Sequence, residues 1–184
     1  MSTFSTLKAS TLTAILLSVS TVANAAGNAK DVLPEIKAIA AKPEVVAAVK
    51  AQNAKSLSID AIKAIDGRWI GASGNVPEAQ AMLSSPVSQA LLAAEKAKPY
   101  FVESILTDNQ GANVAISAMT SDYWQGDEPK FVNAYAEGKG ADYIARAKKD
   151  ESSGAVVSQV SVPVLDAGKA IGTLTIGVNV QALP

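Results

Sequence analysis

The chain has 184 residues, of which 48% are hydrophobic and 18% are charged, and it contains neither histidine nor cysteine. Without those two residue types there is no ordinary zinc site, thiolate nucleophile, Ser-His-Asp triad, disulfide or haem ligand, so neither a metal nor a cofactor is expected. Sixteen basic residues against seventeen acidic ones give a formal net charge of -1. A chain with no basic excess has little to attract the phosphates of nucleic acid, so nucleic acid is not an expected partner.

Residues 1–25 have the pattern of a secretory signal peptide. Lys8 precedes a short apolar stretch, Thr11 to Ala23, and small residues follow up to Ala25. The stretch is interrupted by Ser and Thr and is shorter than the roughly 20 apolar residues that a membrane-spanning helix needs. We therefore expect cleavage after Ala25, a periplasmic location without an anchor, and a single domain over residues 26–184.

Residues 31–97 predict helices, because they are rich in Ala, Lys, Glu and Leu and their apolar residues recur three and four positions apart. Pro43 interrupts this pattern, since proline cannot donate a helical hydrogen bond. Ser58 is expected to cap a helix whose apolar stripe reaches Trp69. The remaining expected features are a loop over residues 71–77 and a last helix capped by Ser85, starting at Pro86 and ending near Ala97.

From residue 100 onward the pattern changes to short runs of β-forming residues separated by turn residues, such as Asp108-Asn109-Gln110-Gly111. Strands are expected over residues 100–107, 113–118, 141–147, 155–165 and 170–178, with a short helix over 129–136. A hairpin, a crossover and a three-strand meander follow in that order. This order predicts an α+β fold in which a PAS-like five-stranded antiparallel sheet has the long N-terminal helices packed behind it.

The connection between the second and third strands is the most informative segment. It reads Thr120-Ser121-Asp122-Tyr123-Trp124-Gln125-Gly126-Asp127-Glu128-Pro129-Lys130-Phe131, whereas a purely structural loop would prefer small polar residues. With Asp66-Gly67-Arg68-Trp69, Asp150-Glu151-Ser152 and the closing strand from Ala170 to Val178, it makes the sequence resemble the extracytoplasmic Cache domains, also called PDC sensor domains. The resemblance extends over roughly residues 33–180.

This resemblance implies a domain that binds a small organic ligand of the amino acid, carboxylate or amine class. In Cache domains the ligand pocket lies between the concave face of the sheet and the connection after the second strand. The chain ends directly after the last expected strand, so the resemblance implies a stand-alone domain without its own output domain. Such a domain would present its ligand or signal to a membrane sensor kinase or chemoreceptor, and a homodimer is left open.

The candidate ligand-binding residues lie in or near that connection. They are Tyr123, Trp124, Asp122, Ser121, Ser117, Lys130, Arg68, Trp69 and Tyr135, with Tyr143 as a further wall residue. Aromatic rings offer flat faces with a hydroxyl or an indole N–H, and a carboxylate can hold an amine. The serines can hydrogen-bond to carboxylate or amide oxygens, and the two basic residues can act as counter-ions, with Arg able to bind in bidentate geometry.

Each group of candidates has a structural alternative. Trp69 continues an isoleucine stripe at helical spacing and would then be a core residue. Tyr123 and Trp124 could fill one end of the sheet without touching a ligand. Asp127 and Glu128 precede a proline, where acidic residues cap a helix and favour its dipole.

No acid–base pair with a mechanistic reason can be named, so catalysis is not expected. The alternative function is a ligand-free interaction or structural module whose N-terminal helix pairs with itself or with a receptor. The helix positions that would carry such a contact are Ile36, Ile39, Val46 and Val49. Their exposure in the folded chain would favour this alternative, because a contiguous exposed apolar stripe marks a partner surface.

Overall fold

The computed structural model describes residues 28–150 and 153–184, so the predicted signal peptide lies outside the described residues. In these two ranges the elements, in chain order, are a 3-10 turn Ala29–Val32, α1 Leu33–Ala40, α2 Pro43–Asn53, α3 Ile59–Gly71, α4 Pro77–Leu83, α5 Pro86–Lys96, β1 Phe101–Thr107, β2 Asn113–Ile116, α6 Pro129–Tyr135, a 3-10 turn Ala136–Gly138, β3 Tyr143–Ile144, β4 Lys148–Lys149, β5 Val156–Asp166 and β6 Lys169–Asn179. No helix within these ranges combines the length and apolar character needed to cross a membrane.

Helices α2, α3 and α5 begin at the residues that the sequence marks as starts. Pro43 is the first residue of α2. The backbone N–H at this position of a helix has no intrahelical acceptor, so a proline there costs no hydrogen bond. The hydroxyl of Ser58 accepts a hydrogen bond from the Ala61 N–H at 3.2 Å, and the hydroxyl of Ser85 accepts one from the Ser88 N–H at 3.2 Å. Both predicted caps are therefore confirmed, and each typically contributes about 1 kcal/mol.

The sequence does not identify α4 as a separate helix. The expected loop over 71–77 ends where Pro77 occupies the first helical position, and the helix stops at Leu83 after seven residues. Seven residues are too few for an apolar period to show clearly against its neighbours. The helix lies against β2, where it covers an edge of the sheet.

The sheet has the strand order β2-β1-β6-β5-β3, with β4 also paired to β5, and all of its pairings are antiparallel. A hairpin forms one edge, the chain crosses over to the other edge, and β5 and β6 return to the centre. This is the predicted PAS-like order, so the predicted α+β fold class is confirmed.

The strand predicted over 141–147 is wrong in extent. Only Tyr143–Ile144 and, separately, Lys148–Lys149 pair with β5. The residues between them are Ala, Arg and Ala, which have no β-branched or aromatic side chain to pack on a pleated surface. Arg146, in this unpaired stretch, is exposed.

The N-terminal helices cover one face of the sheet. Among the described residues, α1, α2 and α5 bury an apolar cluster against β1, β5 and β6, in which Leu106, Val162 and Leu174 are 0% exposed. Burying each such side chain stabilises the fold by about 1.5–3 kcal/mol.

The apolar positions of the N-terminal helices belong to this cluster. Ile36 and Val49 are fully buried, and Ile39 and Val46 are half-buried and pack against the same core. These four side chains therefore do not form the exposed stripe that would favour the interaction-module alternative.

The opposite face of the sheet is more polar and lies beneath α6, which packs against β5 and β6. Because strand residues alternate between faces, Thr107 and Thr173 lie on this side and hydrogen-bond to each other through their hydroxyls at 2.7 Å. Ser161 and Thr175 do the same at 2.8 Å. All four residues are buried, and each hydroxyl has its hydrogen-bond partner within the pair.

Candidate functional site

A cavity of about 320 Å³ lies between this polar face and the connection that follows β2. We call it the concave cavity. Its lining residues are Glu103, Ser104, Ile105, Ala118, Met119, Thr120, Ser121, Asp122, Gln125, Glu128, Lys130 and Gln159. The volume is at the lower end of the range of small-molecule pockets, and the lining combines a few apolar side chains with many polar ones.

The floor of the concave cavity comes from the central strands. Glu103 on β1 lies over Gly177 on β6, where a Cβ would be only 2.5 Å from Cγ of Glu103. Gly177 therefore leaves the room that the glutamate side chain occupies. The Glu103 carboxylate accepts a hydrogen bond from Nε2 of Gln159 at 3.1 Å, which orients it along the floor.

The connection that forms the roof is held by hydrogen bonds from helix α3. The carboxylate of Asp66 accepts the backbone N–H of Tyr123 at 2.8 Å and that of Trp124 at 3.0 Å. The indole N–H of Trp69 donates to the carbonyl oxygen of Thr120 at 2.8 Å. These partly buried hydrogen bonds, two of them charge-assisted, fix the path of the connection.

The roof and the start of α6 place three further charged groups at the cavity. Lys130 is only 6% exposed and forms an ion pair with Glu128. The carboxylate of Asp122 accepts hydrogen bonds from the amide of Gln125 and from the Ser121 hydroxyl. With Glu103, the lining thus carries three carboxylates and one ammonium, and a buried ammonium requires such a partner.

Three of the sequence-predicted residues line the concave cavity: Ser121, Asp122 and Lys130. Ser117 lies at the end of β2, and its hydroxyl accepts the backbone N–H of Ser104 at 2.8 Å. Because Ser104 is a lining residue, Ser117 supports the wall of the cavity through this bond.

Tyr123 and Trp124 lie elsewhere on the connection. The Tyr123 ring is buried, and its hydroxyl accepts a hydrogen bond from Nε2 of Gln52 at 3.2 Å. The Trp124 indole N–H donates to the Gln110 carbonyl at 2.8 Å, and the Lys63 ammonium lies 4.9 Å from the centre of its ring. Both rings are therefore directed by contacts with other elements, while Asp122 beside them faces the cavity.

The four remaining candidates also lie outside the lining of the concave cavity. Tyr143 is on β3, where it pairs with Ser161 of β5. Trp69 is 0% exposed, and its ring centre lies 5.8 Å from that of Tyr123, as the core interpretation of its stripe predicts. Arg68 is exposed and forms an ion pair with Glu78 at 3.0 Å. Tyr135 stacks on Phe131 within α6, with ring centres 5.2 Å apart.

The structure differs from the sequence expectation at the start of α6. Glu128 occupies the position before the helix, but its side chain makes no capping hydrogen bond. It pairs with Lys130 instead, because the ammonium is buried and offers the stronger interaction. Glu128 is therefore a cavity residue and not a side-chain cap.

Glu103, Gln125 and Gln159 are lining residues that the sequence does not single out. Two of them lie on strands, where the usual alternation assigns polar residues to solvent and apolar ones to the interior. The sequence signal that could have identified them is the presence of Glu103 and Gln159 among the β-branched residues of two strands. Gly177, which faces Glu103, is a second such signal.

Two buried acids lie at the other side of the connection. Burial raises the pKa of Tyr123 to about 12, and the nearby carboxylate of Asp108 adds to this shift. Burial also raises the pKa of Asp108, although the N–H groups of Gln110 and Ala112 oppose the shift by donating to its carboxylate. In the ranges 28–150 and 153–184, no three acidic side chains, those of the concave cavity included, lie close enough together to hold a metal ion.

No protein-family model matches the sequence, and no curated protein matches it. Among solved structures, the fold is similar to that of the sensory domain of the Campylobacter jejuni chemoreceptor Tlp3 with isoleucine bound, at 14% identity and a TM-score of 0.38, covering 82% of this chain and 60% of that one. It is also similar to the sensor domain of the V. cholerae histidine kinase DctB, at 16% identity and a TM-score of 0.40, covering 83% of this chain and 58% of that one.

Both neighbours are sensor domains, the class that the sequence resembles. This chain spans about three fifths of the length of each. At these identities and TM-scores the likeness carries no conclusion about this chain, so its ligand and partners have to be argued from its own residues.

Proposed function

We propose that this chain is a sensor-type domain that binds a small amine-bearing molecule, such as a free amine or an amino acid, in the concave cavity. We further propose that residues 26–184 form the exported domain, released into the periplasm after Ala25, and that the domain presents its ligand or signal to a membrane receptor or kinase. It acts as a binding protein and not as an enzyme. The signal-like residues 1–25 support the location.

The charge balance of the concave cavity is the observation that carries the ligand class. Three carboxylates, on Glu103, Asp122 and Glu128, face one ammonium, on Lys130, which is already paired with Glu128. A ligand amine would find uncompensated carboxylates there and form charge-assisted hydrogen bonds with them. For a ligand that carries only a carboxylate, the lining offers one cation, the Lys130 ammonium, and this cation is already paired with Glu128.

A thermal-shift screen of amines, amino acids and carboxylates on the purified protein tests the proposal. A ligand at 100 times its dissociation constant stabilises the folded state by about 2.7 kcal/mol. For a chain of this size that corresponds to a rise in melting temperature of about 5–10 °C. We expect hits among amines or amino acids, and hits confined to simple carboxylates would contradict the ligand class.

Two isosteric variants locate the binding site. Asp122→Asn removes a lining charge and should lower the affinity for an amine by about tenfold to a hundredfold, since a hydrogen bond to a charged group contributes about 1.5–3 kcal/mol. Asp127→Asn is the matched control, because Asp127 belongs to the same connection but is exposed and lies outside the cavity lining. Equal effects of the two substitutions would place the ligand elsewhere.

Lys130→Met separates the ligand classes. The methionine keeps the buried stem but removes the ammonium, which releases Glu128 from its ion pair. Affinity for an amine should then be kept or increase, whereas affinity for a carboxylate should be lost. Lys139→Met, at a lysine whose side chain is 80% exposed, controls for the general change in charge.

A further inference from the structure

We infer that the ligand of the concave cavity carries a second charged group, an oxyanion, several bonds away from its amine. This inference rests on the proposed amine site and adds the place that holds the other end of the ligand. That place is a neighbouring cavity of about 410 Å³ at the edge of the sheet where β4 pairs with β5. We call it the rim cavity.

The rim cavity adjoins the concave cavity, because Glu103 and Gln159 line both of them. The 3.1 Å hydrogen bond between these two side chains lies on the border. Gly177 is the register partner of both residues and lies between them in the sheet. A ligand chain that lies over the Glu103–Gln159 pair would therefore extend from one cavity into the other.

Beyond this border the rim cavity is basic. Its other charged lining residues are three cations and one carboxylate: Arg146, Lys148, Lys149 and Asp150. The three cations are exposed, and none of them forms an ion pair within residues 28–150 and 153–184. The carboxylate of Asp150 accepts the backbone N–H of Ser153 at 3.2 Å. A ligand oxyanion would meet an excess of positive charge, and the guanidinium of Arg146 can bind it through two parallel hydrogen bonds.

The pairing of the strands sets the distance between the two ends of the ligand. Lys148 pairs with Val157 on β5, so the two side chains leave the sheet on the same side. Val157 and Gln159 share a face as well, because they are two positions apart on one strand, and this step measures about 7 Å. An α-amino acid carries both of its charges on one carbon atom and spans only part of that distance. An amino acid with its amine at the far end of an extended chain can span it.

Isothermal titration calorimetry with hexylamine, 6-aminohexanoate, 2-aminohexanoate and hexane-1,6-diamine tests this second subsite. We expect 6-aminohexanoate to bind about threefold to tenfold more tightly than hexylamine, because ion pairs at an exposed rim are individually weak. The other two probes should gain less, since 2-aminohexanoate does not reach the rim cations and the diamine is repelled by them.

The outcomes separate this inference from the proposed amine site. Equal affinities of hexylamine and 6-aminohexanoate would overturn the inference and leave the amine site standing. An equal gain by 2-aminohexanoate or by the diamine would also overturn it, because neither places an oxyanion at the rim. Binding by none of the probes would overturn the amine site together with the inference.

A double variant that removes two rim charges locates the subsite. Arg146→Gln combined with Lys148→Gln should reduce the affinity for 6-aminohexanoate to that for hexylamine, and Lys148→Gln alone should do so in part if the double variant does not fold. Lys42→Gln combined with Lys96→Gln is the matched control, because both lysines are exposed and lie outside the two linings. The control should keep the difference between the probes.

Two results with these variants would overturn the inference. If the preference for 6-aminohexanoate survives in the rim variant, the rim cations serve only to keep an edge strand from pairing with another chain. If the preference falls equally in both double variants, it reflects the general charge of the protein and not a subsite.

Discussion

Asp66 is the residue on which the path of the roof connection depends most. Its carboxylate accepts the backbone N–H groups of Tyr123 and Trp124 at 2.8 and 3.0 Å. Asp66→Ala leaves both donors without their acceptor. Tyr123 is buried, so leaving its N–H without an acceptor should cost the full desolvation penalty of about 1–3 kcal/mol. The N–H of the half-buried Trp124 can donate to water instead, so its loss should cost less. We therefore expect a loss of about 2–4 kcal/mol in the free energy of unfolding.

Urea denaturation at pH 7, followed by tryptophan fluorescence, measures this loss, because Trp124 belongs to the connection and Trp69 donates a hydrogen bond to it. Asp66→Asn keeps an acceptor oxygen but removes the charge, and neutral hydrogen bonds are about half as strong, so we expect about 1–2 kcal/mol. Asp60→Asn, at an exposed aspartate on the same helix, should cost less than 1 kcal/mol. An Asp66→Ala loss no larger than that of Asp60→Asn would refute the anchoring role of Asp66.

Two further predictions concern the sheet and the buried tyrosine. Gly172→Ala should lower the free energy of unfolding by about 1–3 kcal/mol in the same urea assay, since a Cβ there would lie 2.1 Å from the Thr107 carbonyl oxygen; an unchanged midpoint would show that the strands can separate at no cost. In a spectrophotometric titration, Tyr123 should ionise near pH 12, and Tyr123→Phe should remove that component. The raised pKa stabilises the fold fully below pH 10, and this contribution is lost between about pH 10 and 12. Titration of all four tyrosines near pH 10 would contradict the burial of Tyr123.

The features predicted correctly from the sequence are those determined by local patterns. Ser58 and Ser85 precede helices with the spacing of N-caps, and both hydroxyls accept the expected backbone N–H. Turn residues at Asp108–Gly111 and Asp166–Lys169 separate runs of β-forming residues, and the resulting hairpin, crossover and meander appear in the sheet. In these cases the determining interactions lie within a few residues of one another.

The side of the connection to which each residue points could not be predicted, because it depends on distant partners. Asp66 binds backbone groups 57 and 58 positions further along the chain, and this contact places Tyr123 against α2 and leaves Asp122 at the concave cavity. Sequence reasoning identified the segment but not this division. It treated the aromatic pair and the aspartate as one wall, whereas the structure places Asp122 in the lining of the concave cavity and engages both aromatic rings in contacts with other elements.

The inward polar residues escaped sequence reasoning for a related reason. Alternation along a strand indicates which residues share a face, but not whether that face is filled with apolar side chains. Glu103 and Gln159 lie on a face whose hydroxyl residues pair with each other and whose roof carries Lys130. On such a face the polar side chains form hydrogen bonds with one another. These bonds become apparent only when the pairing of the strands in three dimensions is known.

A crystal structure of the protein with the strongest amine or amino acid from the screen tests the central claim most directly. The account predicts ligand density in the concave cavity, with the ligand nitrogen within about 3 Å of a carboxylate oxygen of Glu103, Asp122 or Glu128. Density for the ligand at another place, or a concave cavity that stays closed to every compound that stabilises the protein, would contradict it.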